Sequence, residues 1–539
     1  MSLEKKIQSA LAEHGAGNIA SATALYRAVL AEDPQHPDAL HMLGIIAQQA
    51  GNSELALKLI EVALAKNPEL GQAWYNRCIV LRALNRPDDA LQSAREAVAI
   101  DPGLAEAWDM AGSILREKRR FDEAIACLEK AVNLQPENAQ IIHSYAVLLT
   151  SMGRMKEAWA AIQKMKSVDT VSALTGVGNI FKASGRPAQA VPWFQKAHEA
   201  KPDFGGAILN EAMAFLQMGD TEHGWPLWER RLEDKERKAS SLPTWRGEPV
   251  RHLLLLEDQG MGDALQCLRY IPLIRNRVEK ISLQLTGILH DLLVSNCPGI
   301  DVLTLEDPTP NADAAAQLTS LPAIDDTRIE TIPASIPYIK ADEQWRAPWR
   351  EKLAAISGPR IGLVWGGNPG NRVEYERSLS FAQLTPILQA APGHFVSLQK
   401  GPQRNAEELA AANVFDADPY LDNFTATAGL MAELDLVISI CSSPTHLAGS
   451  MGRPLWVMLH FDPHWIWLLG REDSPWYPTA RLFRQQAPRD WASVTRAIAE
   501  DIQKFVAGDR SVLEPKHWVG VSPRENPLAI DLGSLPENF

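Results

Sequence analysis

A repeat of 34 residues is the sequence feature that most constrains the fold of this chain. Its markers are Pro34, Pro68, Pro102 and Pro136, with small residues in step at Ala22, Ala56, Ala90, Ala124 and Ala158. A 34-residue period with a closing proline is typical of tetratricopeptide repeats, in which each helix pair buries its apolar face against its neighbours. The proline ends the second helix because it has no N–H to donate. We therefore predict roughly seven repeats over residues 1–235, stacked into a superhelix with a concave groove.

Such an array usually binds a peptide or another protein. The alternative is that it serves as a scaffold or dimerises an enzyme, which leaves a homo-oligomer open. The fifth and sixth repeats are irregular, and the seventh ends in the cluster Trp225, Trp228, Arg230 and Arg231. We expect this cluster to close the array by packing on whatever follows.

Length and charge narrow the class of protein. With 539 residues the chain is too long for one hydrophobic core. Its net charge of −13 argues against nucleic acid as the main partner, because neutralising phosphates requires a basic surface. The five cysteines are scattered without C-x-x-C spacing, which favours neither disulfides nor a zinc site and suits a reducing compartment. With no apolar run near the roughly 20 residues needed to cross a bilayer and no signal peptide in sight, we expect a cytoplasmic protein.

The pattern changes after the repeats. Residues 236–250 lose the period and carry Pro243 and Pro249, which predicts a linker. A buried strand at 252–257 then runs into Gln259-Gly260-Met261-Gly262-Asp263 and a helical pattern, and strands and helices alternate through a first α/β half at 251–346. The glycines permit a tight turn and a close approach of the backbone to a ligand. Asp263, at the start of the helix, is either a helix N-terminal charge or a catalytic base.

The alternation restarts in a second half at 347–507, with a strand at 360–365 followed by Gly366-Gly367-Asn368. Residues 435–446 read Asp-Leu-Val-Ile-Ser-Ile-Cys-Ser-Ser-Pro-Thr-His, which predicts a buried strand and then a helix capped by Ser443 with Pro444 at its first position. A helix N-terminus above a strand end favours an anion. We predict two doubly wound units that enclose a cleft, and we leave residues 508–539 as an unassigned tail.

Several side chains at these predicted strand ends suit a diphosphate. Arg377 is a bidentate hydrogen-bond donor and Lys400 a mobile point charge, while Ser442, Ser443 and Thr445, in the second half of 435–446, add hydroxyls. The alternatives are a solvated Lys400 and a core or capping His446. Trp465, Trp467 and Trp476 either stack a base or form a packed lid. The residues that we predict to bind this ligand are Asn368, Arg377, Lys400, Cys441, Ser442, Ser443, Thr445 and His446.

The motifs, taken in order, are Gln-Gly-Met-Gly-Asp, Gly-Leu-Val-Trp-Gly-Gly-Asn-Pro, Ser-Leu-Gln-Lys-Gly, Asp-Leu-Val-Ile-Ser…His-Leu-Ala-Gly and Glu-Asp-Ser-Pro-Trp-Tyr-Pro. As a set they resemble bacterial tetratricopeptide-repeat glycosyltransferases with a heptosyltransferase-like GT-B domain, a group that includes protein O-glycosyltransferases acting on flagellin. The resemblance implies an α plus α/β fold, in which a repeat superhelix precedes a GT-B pair of Rossmann-like domains.

The resemblance also implies roles for residues. A sugar would pass from a nucleotide-sugar without a metal or other cofactor, and Asp263 would act as general base. Gln259, Gly260 and Gly262 would form the acceptor-side turn, Lys400 would contact the donor phosphate, and residues 442–446 would hold the diphosphate and sugar.

One position departs from the family pattern. Relatives carry an aspartate where this chain has Cys441, which leaves the donor sugar open among UDP-, GDP-, ADP- and CMP-linked forms. Three functions follow as hypotheses: transfer to Ser/Thr hydroxyls of a protein held in the repeat groove, with flagellin as one candidate; transfer to a lipid or polysaccharide; or a catalytically degenerate adaptor.

Overall fold

The computed structural model describes residues 2–165, 170–233, 241–368, 374–517 and 522–533. Helices follow the predicted period through the first part of the chain. They are α1 (Leu3–Gly15), α2 (Ile19–Glu32), α3 (Pro37–Gln49), α4 (Ser53–Lys66), α5 (Gly71–Ala83), α6 (Pro87–Ile100), α7 (Ala105–Glu117), α8 (Phe121–Leu134), α9 (Ala139–Ser151), α10 (Met155–Ile162), α11 (Val171–Ala183), α12 (Pro187–Ala200), α13 (Gly205–Gln217) and α14 (Thr221–Glu229).

Small residues explain how these helices pack so closely. The periodic alanines, among them Ala56, Ala90 and Ala124, are fully buried. At Gly112 a Cβ atom would lie 2.5 Å from Leu128 Cγ, so a larger residue there would push α7 away from α8. The repeat period is thus the spacing at which helix contacts require a small side chain.

The chain forms two compact units whose division falls inside α11. One comprises residues 1–176 with 532–539, and the other comprises residues 177–531. The predicted boundary at 235 therefore differs from the structural division. The physical reason is that α13 and α14 pack against parts of the α/β region, so the last repeats share its core.

Two parallel sheets make up the α/β region of the second unit. The first has the strand order β3-β2-β1-β4 and the second the order β10-β9-β8-β5-β6-β7. Their strands are β1 (Val250–Leu256), β2 (Val278–Leu285), β3 (Asp301–Thr304), β4 (Ala314–Gln317), β5 (Ile361–Val364), β6 (Phe395–Ser397), β7 (Phe415–Asp416), β8 (Leu436–Ile440), β9 (Leu455–Leu459) and β10 (Ala480–Arg484). The helices between and after them are α15 (Met261–Cys267), α16 (Ile271–Ile274), α17 (Gly287–Asn296), α18 (Leu321–Ile324), α19 (Glu343–Lys352), α20 (Glu374–Arg377), α21 (Thr385–Ala390), α22 (Ala406–Ala411), α23 (Phe424–Ala432), α24 (Ser443–Ser450) and α25 (Trp491–Val506).

The strand order locates a crevice in the second sheet. From β5 the chain builds outward to β7, then returns to place β8 on the other side of β5. Ligands of open parallel sheets bind where the order reverses in this way, beyond the carboxyl ends of the strands. All five residues of β8 are buried, as expected for a parallel strand covered on both faces.

The described part of the predicted linker, residues 241–249, packs on the first sheet. Trp245 is buried, and its backbone N–H donates to the Ala315 carbonyl at 2.8 Å. This segment therefore extends the edge beside β4. No helix in the described part of the chain is both long and apolar enough to cross a membrane.

Candidate functional site

A helix of the first α/β half packs against a helix of the second half that begins at the strand-order reversal. Helix α15 follows β1, helix α24 follows β8, and the two are in contact. A Cβ atom at Gly262 would lie 2.7 Å from His446 Cδ2. Glycine at 262 therefore serves a close approach, as the sequence predicts, but the neighbour is a side chain of the other half.

Asp263 lies in the first turn of α15 and is partly buried. Desolvation raises the pKa of its carboxyl to about 7, and the nearby Asp258 charge adds to the rise, while Arg377 acts against it. A carboxyl group that titrates near neutral pH is suited to accept a proton. The base role of Asp263 remains a prediction, but its surroundings are those such a role requires.

The turn before α15 is held by Asp258. Its carboxylate accepts hydrogen bonds from Thr319 N at 3.1 Å and Arg231 Nη2 at 3.2 Å. In this turn the residue with positive φ is Gln259, at 64°, whereas Gly260 is extended. The acceptor-side turn thus depends on Asp258 and on Arg231, a residue of the seventh repeat.

The turn after β8 differs from the prediction by one residue. The N-cap of α24 is Ser442, with Ser443 as the first helical residue, and the Ser442 hydroxyl makes no capping bond but donates to the Ile440 carbonyl. Thr445 is fully buried, and its hydroxyl donates to Ser439 Oγ at 2.7 Å and to Ile440 O. Thr445 therefore holds the turn from inside, and the structure does not aim it at a ligand. Ser443 is partly exposed and lies nearer the crevice surface.

Cys441 lies directly before this turn, and His446 lies in the helix that follows it. Burial raises the pKa of the Cys441 thiol, so at neutral pH it is an uncharged group. His446 Nδ1 lies 2.8 Å from the Tyr477 hydroxyl, and desolvation lowers the pKa of its ring to about 3. His446 is thus a buried, neutral histidine, in line with the core alternative left open by the sequence.

Arg377 bridges the two strands at the reversal point. Its Nε donates to Glu374 Oε2 at 2.8 Å, and its Nη1 donates to the Cys441 carbonyl at 2.9 Å. Glu374 is 1 % exposed, and its other oxygen accepts from Gly367 N and the Ser378 hydroxyl. In this structure the guanidinium is therefore paired with a protein carboxylate where the sequence predicts a ligand phosphate.

Lys400 follows β6 and has a side chain that is 55 % exposed. Its Nζ donates to the Leu421 carbonyl at 2.6 Å and lies 3.1 Å from Asp418 Oδ1. The ammonium group is partly exposed but already paired. To contact the phosphate of a nucleotide-sugar, it would have to exchange these two partners. Asn368 is exposed and is the last residue described in the glycine turn after β5.

The aromatic residues of the later stretch are core residues. Trp465, Trp467, Trp476 and Tyr477 are all buried, and Trp465 meets Trp476 edge-on at 5.7 Å between ring centroids. The sequence left two alternatives for these residues, stacking of a base and a packed lid. The structure favours packing, because no ring face is left open for a base. Trp467 lies 6.1 Å from the His446 ring and so forms part of the wall behind the α24 turn.

Sequence reasoning missed the charged residues that organise this region. Besides Asp258 and Glu374, Arg269 is buried and donates to the Trp476 and Pro333 carbonyls and to the Tyr338 hydroxyl. A signal existed for Arg269, because a lone arginine within the apolar run 264–274 must find internal partners once the run is buried.

Comparison with known proteins shows similarity in the repeat region, and to one protein over a larger share of the chain. Residues 13–78 and 105–138 match family models described as tetratricopeptide repeat. The chain contains a tetratricopeptide repeat array. It is also 25 % identical over 405 residues to Protein FlbA of Caulobacter vibrioides, a match that covers 61 % of this chain and 67 % of FlbA.

Solved structures similar to the chain include PilF of Pseudomonas aeruginosa, with 19 % identity, a TM-score of 0.35, and coverage of 38 % of this chain and 94 % of PilF. Another is MamA, with 23 % identity, a TM-score of 0.27, and coverage of 31 % of this chain and 92 % of MamA.

Proposed function

We propose that the protein is a metal-independent GT-B glycosyltransferase that moves a sugar from a nucleotide-sugar to Ser/Thr hydroxyls of a protein recruited by the repeats, with flagellin as one candidate. The observation that carries this proposal is the position of Asp263 in the first turn of α15, which packs against α24 after the end of β8; desolvation raises the pKa of its carboxyl to about 7, and the Arg377 charge acts on it. A base poised near neutral pH and a cation for a leaving phosphate are the two groups that such a transfer needs.

The reaction would be an inverting displacement. The acceptor hydroxyl oxygen forms the new bond to the anomeric carbon as the bond from that carbon to the donor phosphate oxygen breaks. Asp263 takes the hydroxyl proton, and the electron pair leaves with the nucleotide phosphate. Arg377, and Lys400 once it exchanges Leu421 and Asp418 for the ligand, would stabilise the charge that develops there, since charged groups aimed at a developing anion lower the barrier.

A second candidate is a non-catalytic adaptor that binds proteins through its repeats. Three features favour it: Cys441 is uncharged where the resemblance implies an acid, Thr445 points inward, and Arg377 is paired with Glu374. An adaptor retains the fold but has no use for a nucleotide.

Calorimetry with UDP-, GDP-, ADP- and CMP-sugars separates the two candidates. The transferase predicts binding of at least one donor, and the adaptor predicts none. Mass spectrometry of co-expressed acceptor proteins then tests transfer, with Asp263→Asn as the inactive variant. Asp291→Asn is the matched control, because Asp291 is an exposed carboxylate of the same half with 73 % of its side chain accessible. If glycan is found only on lipid or polysaccharide, the acceptor belongs to that class and is not a protein, while the proposed transfer reaction stands.

A further inference from the structure

A buried ion pair connects the last repeats to the loop after β9. Lys182, on α11, places its Nζ 2.8 Å from Asp462 Oδ2 and 3.0 Å from Oδ1. Gln217, at the end of α13, donates to Asp462 Oδ1 at 2.8 Å and to the Pro463 carbonyl at 2.9 Å. The Lys182 and Asp462 side chains are 17 % and 19 % exposed, and Gln217 is 1 % exposed.

Such a pair contributes little net stability, because removing both charges from water offsets most of their attraction. What it contributes is a single arrangement, since either charge left without its partner would be strongly unfavourable. Two donor groups, Lys182 Nζ and Gln217 Nε2, converge on Asp462 and Pro463 from two repeat helices. The start of the loop is therefore held in one position relative to α11 and α13.

The far end of the same loop reaches the candidate site. The ring centroid of Trp465 lies 5.4 Å from that of Trp225, edge-on, and 6.2 Å from that of Trp228. The seventh repeat therefore contacts this end of the loop as well. Two residues later, the Trp467 ring lies 6.1 Å from the His446 ring in the first turns of α24. The contacts run without a break from Lys182 to the helix that follows β8.

We propose that Lys182 and Gln217 are positioning residues, which hold the loop 460–467 so that Trp467 keeps the start of α24 in the geometry that binds the donor nucleotide. This inference rests on the proposed function for the ligand, but the mechanical link stands on the contacts alone. The last repeats then serve the site itself as well as acceptor recruitment.

Hydrogen exchange on the full-length chain tests the link directly. Lys182→Met removes the ammonium and keeps a long side chain, and Gln217→Met removes two hydrogen bonds without leaving a charge unpaired. We expect amides of both 461–467 and 443–446 to exchange about tenfold faster in either variant, with exchange in residues 1–165 unchanged. Lys196→Met is the matched control, because Lys196 is exposed on α12. Lys182→Arg retains the charge and should behave like the wild type.

The ligand measurement uses UDP, GDP, ADP and CMP as probes. For each nucleotide that the wild type binds, Kd should rise about tenfold in Lys182→Met and Gln217→Met and stay unchanged in Lys196→Met. Unchanged exchange at 443–446 in both variants would overturn the link. Faster exchange there with an unaltered Kd would overturn the part that concerns the donor. If the wild type binds none of the four, the proposed function loses its support, while the exchange data still decide the link.

Discussion

Gly262 on α15 and His446 on α24, helices of different α/β halves, approach so closely that a Cβ atom at 262 would lie 2.7 Å from the imidazole Cδ2. His446 cannot retreat easily, because it is buried with its Nδ1 2.8 Å from the Tyr477 hydroxyl. One pair of residues thus sets the distance between Asp263 and the turn after β8.

This contact predicts that Gly262→Ala forces α15 and α24 apart. Overpacking at a tight contact typically costs about 1–3 kcal/mol, and the same shift should lower activity because Asp263 is next in sequence. Chemical denaturation and a transfer assay measure the two effects. Gly287→Ala is the matched control, because Gly287 begins α17 in the same half, outside the candidate site, and the nearest atom to a Cβ there is 3.9 Å away. Equal effects of the two substitutions would contradict the role of the contact.

A pH profile tests Asp263 as the base. Turnover should rise as pH increases through about 7, where the carboxyl ionises. Asp263→Asn should lower turnover by about a hundredfold or more at all pH values. A profile without an inflection near neutral pH would remove Asp263 from this role.

Stability gives an independent reading of the same carboxyl. Its folded-state pKa is raised, so its favourable contribution is fully present below the unfolded pKa and is lost as pH rises through about 7. Asp263→Asn should therefore melt at a higher temperature than the wild type at about pH 8, and the gap should shrink towards about pH 4. Thermal unfolding followed by circular dichroism measures the difference, and a gap that grows in acid would show the opposite sign.

Buried histidines predict an acid-sensitive fold. Desolvation lowers the pKa of His446 to about 3 and of His460 to about 4. Groups with lowered folded pKa values bind fewer protons in the native state, so their contribution is present above about 6.5 and is lost as pH falls towards the folded values. The urea midpoint should drop between about pH 7 and 4.5, and His460→Gln should reduce that drop. His223→Gln should not reduce it, because Asp220 raises the pKa of that exposed ring.

The division inside α11 predicts where the chain tolerates truncation. A protein beginning at residue 236 lacks Trp225 and Trp228, whose indole N–H groups donate to the Thr327 and Thr319 carbonyls, and it leaves Asp258 without Arg231. We expect this form to aggregate, because it exposes core surface and an unpaired carboxylate. A form beginning at residue 171 keeps these contacts and should stay monodisperse in light scattering. Equal behaviour of the two would argue against the shared core.

Much of the secondary structure followed from local pattern. The repeat helices lie where the prolines and alanines place them, and β1, β5 and β8 lie within a residue or two of the predicted strands. The short strands β4, β7 and β10 were not predicted; β4 is only four residues long, and β7 only two. Gly262 was singled out as a point of close approach, but the nature of the neighbour was not visible in the sequence.

The sequence by itself determined the repeat period, the alternation of strands and helices and the glycine turns, because each depends on residues a few positions apart. Only the tertiary structure decided that the last repeats join the α/β core, that Glu374 pairs with Arg377 against the Cys441 carbonyl, and that burial moves the pKa of Asp263 to neutrality. The Lys182–Asp462 and Gln217–Asp462 bonds span 280 and 245 residues. No local pattern encodes such pairs, because residues so far apart in sequence meet only once the chain has folded.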